Sequence, residues 1–157
     1  MPVDAKFTGR QRVVYDIALA AHNAAIDALK PGKRFLDVYK LSSRIIVEGM
    51  KDLGLMKGDA HDAVEAGAHA MFFPCGLGHM MGLDVHDMES LGEDEVGYDD
   101  SVSRSTQFGR SYLRLARRLE PGHVSTIEPG LYFIPQLIDR WAKDGRLEDF
   151  FAYAALE

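Results

Sequence analysis

Residues 76–87 read Gly-Leu-Gly-His-Met-Met-Gly-Leu-Asp-Val-His-Asp and hold the densest set of metal- or proton-binding side chains in the chain. Two histidines, His79 and His86, stand seven residues apart with glycines before the first. On a helix that interval spans two turns, so the pattern suits ligands on a strand and its loop better than a helical pair. Spacing alone leaves two uses open: metal or catalytic chemistry, or structural histidines satisfied by hydrogen bonds. Further along, Ser-Thr-Ile-Glu-Pro-Gly at 125–130 places one carboxylate, Glu128, inside an apolar strand. A buried, unpaired carboxylate is costly, so Glu128 needs a cation, a hydrogen-bond network or a raised pKa.

Outward from these stretches the chain alternates helical periods with turn signals. Thr8 followed by Gln11 is a capping-box pattern, and Val14, Ile17, Ala18, Ala21, Ala25, Ala28 and Leu29 recur at helical intervals until Pro31-Gly32. Asp37 can cap a second helix with an apolar stripe of Val38, Leu41, Ile45 and Leu53, ended by Gly54. Asp59 opens a third, Ala-rich segment through Ala70. Residues 74–82 are rich in Gly and Pro, as where helix gives way to loop or strand ends near a site. Residues 91–109 are acidic and aperiodic, which predicts an exposed loop with solvated carboxylates. A helix is expected over about 110–119, with Arg110, Arg114, Arg117 and Arg118 as its solvated face. Residues 124–127 and 131–134 read as two strands joined by a hairpin or bend at Pro129-Gly130, and 135–157 as one or two helices interrupted at Gly145. No repeat or linker divides the chain, so residues 1–157 form one domain.

Bulk composition narrows the class. Hydrophobic residues at 46% and charged residues at 27% are ordinary for a globular domain. No run approaches the ~20 apolar residues that a bilayer demands, which argues against a membrane protein. Eighteen Lys and Arg against 24 Asp and Glu give a net charge of -6, unfavourable for nucleic acid. The start, Met1-Pro2-Val3-Asp4-Ala5-Lys6, has no apolar signal region, and a single cysteine, Cys75, fits a reducing compartment; a cytoplasmic location is expected.

The combination of G-L-G-H-x-x-G-L-D-V-H-D at 76–87 with L-x-P-G-x-x-x-T-I-E-P-G at 119–130 closely resembles the pita-bread metallopeptidases, in the branch of Xaa-Pro dipeptidases (prolidases) and aminopeptidases P. The likeness runs over nearly all of residues 6–157. It implies an α+β fold, a partial pita bread with helices packed on an antiparallel sheet, truncated at both ends. It also implies metal-dependent hydrolysis of Xaa-Pro bonds in a proline-containing dipeptide or short peptide, by water activated between two divalent ions, usually Mn²⁺, and a homodimer. Residue by residue, the resemblance puts the metal-binding His on His79 and the first metal-binding Glu on Glu128. His86 would contact substrate and stabilise the tetrahedral intermediate. Arg114, in Leu113-Arg114-Leu115-Ala116-Arg117, would grip the substrate's free carboxylate, which a planar guanidinium does bidentately.

Two departures bear on activity. The family usually has a His where this chain has Cys75, and a small buried cysteine is the expected environment there. The family's paired aspartates lie upstream of a segment resembling residues 3–7, and its last Glu lies downstream of Glu157. With one His and one Glu present, ions are expected to be absent or weakly held and the chain inactive alone. Two other readings are a non-catalytic binding or interaction module built on the peptidase fold, and a mononuclear metal domain using His79, His86 and Glu128. Metal stoichiometry separates the three.

Overall fold

The computed structural model describes residues 2–156. Helix α1 spans Gly9–Ala28 and begins on the expected capping box, with Gln11 N–H donating to the Thr8 hydroxyl and Thr8 N–H donating to Gln11 Oε1 across 2.9 Å. Helix α2, Phe35–Asp52, lies against it. The two approach closely because the contact uses small residues: Ala21 and Ala25 are fully buried, and a Cβ on Gly49 would sit 2.7 Å from the Ile17 side chain. Phe35, Tyr39, Ile46 and Met50 of α2 then form one wall of the core, with Phe72, Phe73, Leu77, Leu115, Trp141 and Phe151 opposite. Each such side chain contributes about 1.5–3 kcal/mol by leaving water.

Asp37 does not cap α2; it lies in the first turn, and the cap residue is Arg34, without a side-chain bond. The free donors at this helix start are satisfied from elsewhere. Phe35 N–H donates to the Arg117 carbonyl at 2.9 Å and Leu36 N–H to the Ala116 carbonyl at 3.3 Å. That arrangement requires a non-helical chain at 113–119, which bends at Arg114 and Arg117, and the helix expected over 110–119 is absent. Only a 3₁₀ turn, Arg110–Tyr112, forms after Gly109. The arginines therefore do not share a solvated helix face: Arg110 donates to the Val64 carbonyl at 2.7 Å, and Arg114 binds Glu89 and Glu93. Leu113, Leu115, Ala116 and Leu119 are buried among these arginines.

Helix α3, Ala60–Ala66, is capped by Asp59, whose carboxylate accepts from Asp62 N–H at 3.0 Å and is held below its usual pKa chiefly by that bond. It ends sooner than expected, because Gly67 takes the left-handed conformation (φ 85°), and a 3₁₀ turn, Ala68–Met71, follows. Within 91–109 a single helical turn, α4 (Glu93–Gly97), replaces a wholly irregular loop. Its Glu93 is largely covered and binds Arg104, whereas Asp94, also paired with Arg104, stays solvent-exposed as expected. Helix α5, Pro135–Lys143, opens on proline at its first turn and buries Trp141. Two 3₁₀ turns, Glu148–Phe150 and Tyr153–Ala155, follow Gly145.

Residues 124–134 are extended, but the two halves do not pair with each other. The first half lies beside 77–81, and the second gives a bond from Tyr132 N–H to the Phe72 carbonyl at 2.8 Å. Gly130 does not adopt the positive φ that a two-residue hairpin turn requires, so the chain runs straight through Pro129-Gly130. In place of the expected sheet, the described residues form isolated antiparallel bridges, including Met80 with Ser125 and Arg34 with Arg118. No helix of the described residues is long and apolar enough to cross a membrane.

Candidate functional site

Segments 77–81 and 124–128 run antiparallel beneath an open cleft of about 530 Å³. Three backbone bonds hold them: Met81 N–H to the Val124 carbonyl (3.0 Å), Thr126 N–H to the His79 carbonyl (3.0 Å) and Glu128 N–H to the Leu77 carbonyl (2.7 Å). A regular antiparallel pair would return a bond from His79 N–H to the Thr126 carbonyl. Here His79 N–H donates instead to the Thr126 hydroxyl at 3.1 Å. The ladder is broken at the point where the site begins. The crossing is also very close, for a Cβ on Gly78 would lie 2.1 Å from the Thr126 carbonyl oxygen.

His79 is buried, 6% exposed, and its two ring nitrogens have distinct partners. Nδ1 lies 3.0 Å from the Met80 carbonyl, which can only accept, so Nδ1 carries a proton. Nε2 lies 3.1 Å from Glu128 Oε1. The same Glu128 oxygen accepts from the Thr126 hydroxyl at 2.8 Å. In neutral His79 the Nε2 lone pair thus faces a carboxylate oxygen, a repulsive arrangement that either a proton or a metal cation between them relieves. A ring nitrogen tied to a backbone carbonyl, with the other turned toward a carboxylate, is the usual outfit of a metal-binding imidazole. The pair fits one side of a divalent cation's shell. Among the described residues no group of three or more His, Cys, Asp and Glu side chains converges, so the described protein offers that cation two ligands. The Glu128 side chain is 56% exposed rather than sealed in an apolar strand, and what stabilises it is this set of polar partners.

His86 meets His79 edge to face, with ring centroids 4.2 Å apart and planes at 79°. Its Nδ1 lies 2.8 Å from Glu89 Oε2, and its Nε2 has no hydrogen bond among the described residues. His79, His86 and Glu128 are not gathered as a three-ligand group among the described residues, and His86 Nδ1 lies against Glu89. Arg114 lines the same cleft, with Nη2 2.6 Å from Glu89 Oε1 and Nη1 2.7 Å from Glu93 Oε2. Arg114 first, and His86 second, hold the Glu89 carboxyl below the ordinary carboxylate range. Cys75 also faces the cleft and is exposed, not the small buried cysteine expected. Nearby, burial first and then Cys75 and Glu128 push the Tyr132 hydroxyl up.

All four candidates, His79, His86, Arg114 and Glu128, therefore line one cleft. Sequence reasoning missed Thr126, Glu89 and Glu93. Thr126 stands two residues before Glu128, on the same face of an extended segment, and that alternation was its signal. Glu89 follows His86 by three residues, but nothing local distinguishes it from the acids around it.

The sequence model of metallopeptidase family M24 matches residues 1–152. Human Xaa-Pro dipeptidase is 40% identical over 143 residues, covering 91% of this chain and 28% of that protein. The rat Xaa-Pro dipeptidase is 37% identical over 156 residues, covering 99% and 30%. Among solved structures, zinc-substituted Escherichia coli aminopeptidase P in complex with product superimposes with a TM-score of 0.67 at 39% identity, over 87% of this chain and 27% of that one. Proline aminopeptidase P II from Yersinia pestis gives 0.67 at 40%, over 87% and 27%. The chain thus spans under a third of the length of these relatives.

Proposed function

The chain belongs to metallopeptidase family M24, and from that we propose that its cleft is the His–Glu part of a metal centre that hydrolyses Xaa-Pro bonds. The observation that carries this is the 3.1 Å approach of His79 Nε2 to Glu128 Oε1, with the other His79 nitrogen tied to a backbone carbonyl. When bound, divalent ions would supply Lewis acidity and a water of lowered pKa. His79 and Glu128 would hold them; manganese and a homodimeric assembly are carried over with the family reading.

The remaining residues bind and orient. His86 Nε2 has no hydrogen bond among the described residues; with Nδ1–H held by Glu89, its lone pair can take up a proton, and the imidazolium so formed would donate from Nε2 to a substrate carbonyl oxygen as charge develops there. Arg114 spends two of its guanidinium N–H donors on Glu89 and Glu93 and keeps the others for the carboxylate of a short peptide. That would favour dipeptides, whose free carboxylate lies near the scissile bond. Because the described residues supply only two ligands, the 157-residue chain by itself is expected to bind Mn²⁺ weakly and to turn over no Gly-Pro.

Equilibrium dialysis against Mn²⁺ tests the reading. Binding by the chain should be lost on His79→Ala and on Glu128→Gln alike. Retention unchanged in His79→Ala would remove the metal assignment, and a folded, metal-indifferent protein would favour a binding module instead.

A further inference from the structure

We propose that Glu89 is a positioning residue: a single carboxylate that fixes both the protonated nitrogen of His86 and the plane in which Arg114 presents its guanidinium to the cleft. The inference rests on the peptidase reading for what His86 and Arg114 do, but not for how they are held.

The geometry is a bridge. Glu89 Oε2 lies 2.8 Å from His86 Nδ1 and Glu89 Oε1 lies 2.6 Å from Arg114 Nη2, so each oxygen serves one partner. A carboxylate accepts only, which makes Nδ1 the protonated nitrogen of His86 and leaves Nε2 as the atom turned to chemistry. His86 and Arg114 line the cleft, whereas Glu89, half exposed, stands outside the lining residues.

The backbone is shaped for this. Met88 and Ser90, on either side of Glu89, both take positive φ, 56° and 63°, a conformation that side chains other than glycine adopt at a cost of roughly 1–3 kcal/mol. Bonds from Leu91 N–H and Gly92 N–H to the Met88 carbonyl, each 3.0 Å, close the turn. The far end of the bridge is anchored too. Glu93, from the first turn of α4, holds Arg114 Nη1 at 2.7 Å, and Arg104 holds Glu93 at 2.8 Å while donating to the Leu113 carbonyl at 2.8 Å. The result is a line of alternating charge, His86–Glu89–Arg114–Glu93–Arg104, joining the histidine loop to the segment that carries Arg114.

Nitrogen NMR of the ¹⁵N-histidine-labelled chain tests it without catalysis. His86 should carry its proton on Nδ1 in the wild type, and Glu89→Gln should shift it toward the Nε2–H form. Where Gly-Pro hydrolysis is measurable, the same substitution should lower kcat by about 10–100-fold, as loss of a ligand-orienting partner does, and Glu89→Asp should recover part of it. Wild-type His86 found in the Nε2–H form overturns the proposal whether or not any variant folds. So do identical His86 nitrogen shifts in wild type and Glu89→Gln. Mn²⁺ binding unaffected by His79→Ala would instead remove the peptidase reading and leave the tautomer result standing.

Discussion

The Thr126 hydroxyl donates to Glu128 Oε1 across 2.8 Å while accepting the His79 amide at 3.1 Å, so one side chain ties together the two segments that carry the candidate ligands. It replaces the backbone bond that a regular strand pair would make at this point and turns the carboxylate toward the imidazole. Thr126→Val keeps the shape and removes both bonds. It should weaken Mn²⁺ binding by about 10–100-fold, while Thr126→Ser stays near wild type. Dialysis of the three proteins side by side checks this, and equal affinities would show that the hydroxyl has no part in orienting Glu128.

Gly78 is the second constraint on the crossing. With the Thr126 carbonyl oxygen 2.1 Å from where a Cβ would be built, Gly78→Ala forces two backbones apart. The change should destabilise the fold by about 1–3 kcal/mol or more, as overpacking does, and should weaken metal binding in the same protein. Urea titration with unaltered midpoint would contradict the close approach.

Arg114 is expected to act on binding rather than on bond breaking. Where hydrolysis is measurable, Arg114→Ala should raise KM for Gly-Pro and leave the KM of a C-terminally amidated analogue unaffected. Arg114→Lys should rescue poorly, because an ammonium cannot reproduce the fork that reaches Glu89, Glu93 and a ligand carboxylate at once. An unchanged KM for the free acid in Arg114→Ala would reject the role.

His69 is expected to make the fold sensitive to acid. It is fully buried, its Nε2 lies 2.7 Å from the Tyr39 hydroxyl, and burial first, with Arg110 second, pushes its pKa down to about 3. The unfolded chain would protonate it near its ordinary value of about 6.5. Its contribution is therefore complete above pH 6.5 and is lost as pH falls from there toward 3. The melting temperature should drop over that window in wild type and less steeply in His69→Gln. Parallel slopes in the two proteins would show that another group controls the transition.

The local signals that proved legible were those with a short-range physical cause. The Thr8–Gln11 capping box, the Asp59 cap and the stop at Gly54 each involve contacts within a turn, and each forms where it was read. The 113–119 stretch failed because its arginines happen to fall at helical spacing while its conformation is set by the open start of α2, far away in sequence. Likewise, the pairing of 124–128 with 77–81 rather than with 131–134 is a long-range choice that turn residues alone do not encode. The grouping of His79, His86, Arg114 and Glu128 at one cleft was reached through family motifs, whereas Thr126 and Glu89 became visible only through their distances.

The alternating line from His86 to Arg104 lies near the surface, and this couples the cleft to the dissolved electrolyte. Partly exposed ion pairs are worth only about 0–1 kcal/mol each, and the screening length shrinks from about 8 Å at physiological ionic strength to about 3 Å in molar salt. The orientation of His86 and Arg114 should accordingly loosen as salt rises, while His79, buried and tied to a backbone carbonyl, keeps its place. Ionic strength thus becomes a dial that acts on one half of the cleft and spares the other.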